Sequence, residues 1–148
     1  MDALNKLLTD AQLSGVYRPV QGADEIERAA KAAKLSIVKL DLGKLQGKRG
    51  FLARVAKAFK FPHAFGRNWD ALNDNLTDLS WLDDNGWVVI LFNGQDFAAK
   101  NQDDFKIAID VLQTAAEYWR GQGKPFWVFI YGDNEWNPGL PELPKPLS

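Results

Sequence analysis

Two unbroken apolar runs, residues 87–92 and 126–131, dominate the hydrophobic pattern of the chain. Runs of this length between turn residues are typical of strands that are buried on both faces of a parallel sheet. Partial alternation of apolar and polar residues predicts a third strand over 36–42. A fourth is predicted over 16–20, and because Pro19 has no N–H to give to a neighbouring strand, we place it at a sheet edge.

Apolar residues at helical spacing predict amphipathic helices between these strands. The predicted helices cover residues 3–13, 23–34, 48–60, 69–79 and 102–120. Asn68 and Asn101 are candidate N-caps of the last two helices, and Asn93-Gly94 is predicted to turn the chain. The last sixteen residues hold four of the seven prolines and predict an extended tail.

Alternation of apolar strands with helices predicts an α/β fold. We expect a small parallel sheet of three core strands, joined by the N-terminal edge strand as a fourth, and packed with helices. The chain is expected to form a single domain. Within it, residues 1–35 would add a helix, the edge strand and a second helix to a core of 36–131, and residues 132–148 would be the proline-rich tail.

The composition excludes several kinds of function but does not by itself indicate one. The chain has no cysteine and one histidine, His63, so disulfides, thiolate chemistry and a multi-histidine metal site are excluded. No apolar run approaches the roughly 20 residues of a membrane helix, and the N-terminus does not read as a secretory signal. We therefore expect a cytoplasmic protein that is not an enzyme and needs no cofactor or metal.

The net charge of −1 hides an asymmetry between the two parts of the chain. Residues 1–65 hold 12 Lys and Arg against 6 Asp and Glu, whereas residues 66–148 hold 6 against 13. Such a split indicates an interaction surface of one sign. The alternative is that the two parts interleave in space and partly cancel.

The predicted helix 69–79 has an apolar stripe of Trp69, Leu72, Leu76 and Leu79. The opposite face carries Asp70, Asp74 and Asp78. Like charges four residues apart destabilise a helix by about 0.2–0.5 kcal/mol; the helix dipole favours Asp70 in the first turn, but nothing comparable favours the other two. A cationic partner would neutralise this row, and a simply solvated face is the alternative.

Residues 65–74 read aromatic, Gly, x, Asn, apolar, Asp, Ala, Leu, x, Asp. This pattern, with the strand, helix and strand downstream, resembles the barstar family of ribonuclease inhibitors over residues 36–131. The resemblance implies that the acidic helix and the preceding loop plug the active site of a basic, extracellular-type ribonuclease, barnase-like or another nuclease toxin. The implied contact residues are Phe65, Gly66, Asn68, Asp70, Asn73 and Asp74.

Three positions depart from the barnase inhibitor: Ala64 replaces a tyrosine, Arg67 an acid and Asn73 a tryptophan. These changes suggest a nuclease other than barnase. Two alternatives stay open: an interaction module that binds another basic protein, and a nucleic-acid binder that uses the basic N-terminal part. The basic helix 48–60 could contact phosphates, but it lacks a base-stacking aromatic on its polar face, which favours a solvated face instead. We expect no direct nucleic-acid partner and no membrane partner.

Overall fold

In the computed structural model, residues 3–62, 68–82, 84–133 and 135–143 are described. Their helices are α1 (Ala3–Leu8), α2 (Ala23–Ala32), α3 (Gly47–Ala58), α4 (Trp69–Leu76), α5 (Gly94–Lys100) and α6 (Gln102–Gly121). Their strands are β1 (Val16–Tyr17), β2 (Ser36–Asp41), β3 (Trp87–Phe92) and β4 (Phe126–Ile130). The predicted α/β class is confirmed.

All four strands run parallel in one sheet, in the order β1-β4-β3-β2. Strand β3 lies between β2 and β4, and its register sets Val89 beside Val38 and Val128. The predicted edge strand is present, but it holds only two residues and ends before Pro19. Its edge position agrees with the lack of a proline N–H.

The side chains of β3 and β4 alternate between two cores, one on each face of the sheet. Trp87, Val89 and Leu91 enter a larger core that is covered by α3, α4, α5 and α6. Val88 and Ile90 enter a smaller core that is covered by α1 and α2. Strands buried on both faces explain the unbroken apolar runs of the sequence.

Two predicted local features are wrong. The first helix ends at Leu8, and residues 11–13 form a separate 3-10 turn in which the Asp10 carboxylate accepts a hydrogen bond from the Gln12 N–H at 3.0 Å. Asn93-Gly94 does not simply turn the chain, because Gly94 begins helix α5. Asn93 makes the sharp entry by adopting a left-handed backbone with φ of 58°.

The segment after β4 forms no helix or strand in its described residues, yet it is packed against the fold. Trp136 and Leu140 lie against the larger core, and Leu143 is buried in the smaller one. The Arg18 N–H donates to the Pro141 carbonyl at 2.8 Å, so this segment runs beside β1. None of the described helices has the length and apolar character needed to cross a membrane.

Candidate protein-binding face

Helix α4 begins at an N-cap that the sequence predicted. The Asn68 backbone is extended, and its side-chain oxygen accepts a hydrogen bond from the Ala71 N–H at 2.7 Å. This bond satisfies one of the free N–H groups of the first turn. Asp70 lies in the same turn, where the helix dipole favours a negative charge.

The buried face of α4 is anchored in the larger core. Leu72 and Leu76 are fully buried, and the half-buried Trp69 packs on Phe51 of α3 with 5.9 Å between ring centroids. At the other end of the helix, the indole N–H of Trp119 donates to the Leu76 carbonyl at 2.7 Å. Helix α4 is therefore anchored at its first turn by the Trp69–Phe51 contact and at its last turn by the Trp119 hydrogen bond.

The opposite face of α4 presents Asp70 and Asp74 to solvent. In the described part of the chain, neither carboxylate takes part in an ion pair. They are one turn apart on a helix that is held at both ends. The structure thus places two uncompensated carboxylates side by side on a rigid support.

Asp78 does not continue this row, which corrects the predicted helix 69–79. The helix ends at Leu76: the Asp78 N–H donates to the Asn75 carbonyl three residues back, at 3.2 Å, and Leu79 turns left-handed with φ of 50°. Leu79 is buried as expected, and Asp78 is exposed in the turn.

Asn73 lies between the two aspartates in sequence and is only half-exposed. Its side-chain oxygen is buried and has no hydrogen-bond partner in the described residues. Of the other predicted contact residues, Asn68 is exposed at the start of α4. Phe65 and Gly66 lie outside the described residues, as do His63, Ala64 and Arg67.

Helix α6 carries further exposed carboxylates that the sequence analysis did not single out. Asp103, Asp110 and Glu117 recur every seven residues, so they share one face of the helix. Two large apolar side chains, Ile107 and Tyr118, are also exposed on α6. Since Trp119 ties α6 to the end of α4, acidic surface is present on both neighbouring helices.

A second polar cluster, also not predicted, lies where β2 and β3 end, beside a cleft of about 520 Å³. Asp41 accepts hydrogen bonds from the Asn93 amide at 2.7 Å and the Gly43 N–H at 2.8 Å. These bonds, the one from Asn93 foremost, hold the pKa of the Asp41 carboxyl below its usual range. The parallel register of β2 and β3 brings Asp41 and Asn93 together, although they are far apart in sequence. No sequence motif predicts this cluster.

Asp96 is held in the same cluster by α5 and the loop after β2. It accepts from the Lys44 N–H at 2.8 Å and pairs with Lys100 at 3.1 Å. The Lys44 bond is the main reason that the pKa of Asp96 lies below its usual range. Both carboxylates of the cluster are thus satisfied within the protein, and the described residues contain no group of three potential metal ligands.

Comparison with known proteins adds one informative match. A family model described as Barstar (barnase inhibitor) matches residues 35–131, more than half of the chain. Among solved structures, a Walker-type ATPase of Pyrococcus abyssi is similar at 11% identity and a TM-score of 0.46, over 95% of this chain and 50% of that one. This chain thus spans half the length of the ATPase, and a likeness of that size says nothing about function. No curated protein sequence matches significantly.

Proposed function

The chain belongs to the barstar family, and we propose that it is a non-catalytic inhibitor of a small basic ribonuclease, whose active site it blocks with α4 and the loop before it. The exposed pair Asp70 and Asp74 is the observation that supports this most strongly. The two carboxylates have no counter-ion among the described residues. They stand on a helix that is anchored at its first turn by Trp69 packed on Phe51 and at its last turn by the Trp119 hydrogen bond.

Phosphate mimicry explains how such a pair would inhibit. A carboxylate offers two acceptor oxygens to the fork of an arginine guanidinium, as a phosphate does. A ribonuclease uses cationic side chains to hold RNA phosphates, so Asp70 and Asp74 would occupy the same cations. Because the helix is already ordered, little conformational entropy would be lost on binding.

The other proposed contacts surround this pair. Asn68 would hold the start of α4, and Gly66 would shape the loop that carries Phe65. Asn73 would contribute the exposed part of its amide. In the family's barnase inhibitor a tryptophan stands at this position, so a smaller polar side chain here favours a partner with a different surface.

The acidic face of this protein and the basic surface of the ribonuclease would also attract each other and speed association. Fast association suits an inhibitor that must capture a nuclease before the cell's RNA is cut, which is why we place its action in the cytoplasm. A basic protein other than a nuclease could bind the same acidic face. Because Ala64, Arg67 and Asn73 differ from the residues of the barnase inhibitor, the experiment also tests for a basic partner that is not a nuclease.

The test measures inhibition of a panel of small basic microbial ribonucleases, barnase among them, by the purified protein. For an inhibited enzyme, Asp74→Ala or Asp70→Ala should weaken binding by about 2 kcal/mol or more, which is roughly 30-fold in Kd. Asp24→Ala is the matched control, since Asp24 is also exposed in a first helical turn but lies on α2, across the sheet.

Equal inhibition by the wild type and both α4 variants would rule out the proposed face. If no ribonuclease of the panel binds, the same variants are used to capture proteins from a lysate of the host. A non-nuclease protein that binds the wild type and not Asp74→Ala would favour the alternative partner.

A further inference from the structure

Helix α3 carries a basic surface that the proposed function does not use. Arg49 and Lys57 are exposed on the side of α3 opposite its buried residues, Lys60 is exposed just after the helix, and α3 contains no acidic residue. We call these three side chains the α3 basic face.

The α3 basic face lacks partners within the described part of the molecule. None of its three side chains forms an ion pair there, whereas Glu27 pairs with Lys31 and Lys39. Lys48 and Arg49 also stand in the first turn, where the helix dipole disfavours positive charge. The Asp104 carboxylate accepts a hydrogen bond from the Lys48 N–H at 3.1 Å, but it forms no ion pair with the side chain of Lys48 or Arg49.

The α3 basic face looks outward on the same side of the sheet as Asp70 and Asp74. Helices α3 and α4 bury their apolar faces in the same core. The Phe51–Trp69 contact joins them directly, and the Trp81 indole N–H donates to the Phe59 carbonyl at 2.9 Å just past the ends of the two helices. Their exposed faces therefore point away from the sheet together.

A uniformly basic partner would attract α4 and repel α3. At physiological salt, charges interact across about 8 Å. A partner that covers α4 therefore also interacts electrostatically with nearby charges of α3. We propose that the nuclease bound by this inhibitor carries a patch of carboxylates beside its basic cleft, and that the α3 basic face binds this patch. The inference rests on the proposed function and specifies the partner's chemistry.

RNA is a less suitable occupant for the α3 basic face. Proteins that bind single strands without sequence preference combine cations with aromatic platforms for the bases. The exposed positions of α3 are Lys48, Arg49, Ala53, Arg54 and Lys57, none of which is aromatic. A carboxylate patch requires only the cations.

The test uses a nuclease that the wild-type protein inhibits. Arg49→Glu with Lys57→Glu reverses two charges of the α3 basic face. The helix dipole favours glutamate at 49, in the first turn, and disfavours it at 57, in the last turn, so the two effects on helix stability oppose each other. Lys6→Glu with Arg28→Glu is the control: it changes the net charge equally, and both residues are exposed on α1 and α2, across the sheet. Association rates are measured at several salt concentrations.

We expect the α3 variant to associate about tenfold or more slowly than the control. An α3 variant that associates as fast as the control, or faster, would overturn the inference. So would a gel shift of single-stranded RNA by the wild type that the α3 variant loses, because RNA would then occupy the face. If either result is found but Asp74→Ala still weakens binding, the proposed function stands and only the inference about α3 is wrong. If the protein binds no nuclease, the proposed function and the inference are both wrong.

Discussion

The indole N–H of Trp119 and the carbonyl oxygen of Leu76 are joined by a hydrogen bond of 2.7 Å between α6 and the last turn of α4. Carbonyls in the last turn of a helix have no partner within the helix. Trp119 satisfies one of them from a buried position. This single bond couples the orientation of the acidic helix to the longest helix of the fold.

Trp119→Phe tests this coupling, because it keeps an aromatic ring and removes the donor. A buried carbonyl left without a partner costs about 1–3 kcal/mol, and the lost ring volume adds to this cost, so the free energy of unfolding should fall by at least that amount. Urea denaturation measures it. Tyr118→Phe, at the exposed neighbouring position, should change it by less than about 0.5 kcal/mol; equal losses in both variants would contradict the assigned role of the bond.

The two aspartates of α4 should differ in what they do for the free protein. Asp70→Ala also removes the repulsion between the two carboxylates, but it takes a favourable charge from the first turn, so it should leave the protein about 0.3–1 kcal/mol less stable than Asp74→Ala does. Asp74→Ala removes a repulsion from Asp70 and introduces a better helix former, so the unfolding free energy should stay level or rise slightly. Denaturation of the two variants in low salt compares them. A loss of stability in Asp74→Ala as large as that in Asp70→Ala would mean that Asp74 has a structural role.

Asp41 should make stability depend on pH on the acid side. Its pKa is lowered from 3.8 in the folded protein, so its contribution is present above that value and is lost as the pH falls through the lower folded pKa. Asp41→Asn should therefore flatten the decline of the unfolding free energy below about pH 5. Denaturation at a series of pH values measures the slope. Asp110→Asn serves as an exposed control, and an unchanged slope in Asp41→Asn would contradict the prediction.

Gly94→Ala and Gly121→Ala should change stability in opposite directions. A Cβ on Gly94 would lie 2.6 Å from Ile130 Cγ2 and 2.9 Å from the Trp136 ring, so overpacking should cost about 1–3 kcal/mol. Nothing lies within 4 Å of a Cβ on Gly121. There alanine should add roughly 0.4–1 kcal/mol. Thermal unfolding of both variants would show it, and a stable Gly94→Ala would mean that the contact at β4 is loose.

The pattern of apolar residues predicted the strands and helices well wherever burial alone determines the structure. It predicted β3 to the residue and β4 to within one, because both strands are buried on two faces. It did not reveal α5, which has one large apolar residue, Phe97, among its seven. Helix α4 ended earlier than predicted because Leu79 adopts a left-handed backbone, although its buried side chain fits the hydrophobic spacing.

The candidate site was predictable only in part. The spacing of Asp70 and Asp74, together with the cap at Asn68, could be deduced from local sequence. The Asp41–Asn93 cluster could not, since its residues come together only through the register of two parallel strands. Asn101 shows the same limit on a smaller scale. It is the N-cap residue of α6, as predicted, but its side chain makes no capping bond, and its amide donates to the Phe97 carbonyl at 3.3 Å instead.

The burial of Leu143 with Leu4 and Leu8 in one core has a consequence for handling the protein. Both outer segments of the chain close over the same apolar surface, and the Trp127 indole N–H donates to the Leu8 carbonyl at 2.8 Å beneath them. Shortening the chain from either side would thus wet the leucines contributed by the other. An expression fragment trimmed to residues 35–131 would expose that surface and tend to aggregate, even though the acidic helix lies on the opposite side of the sheet.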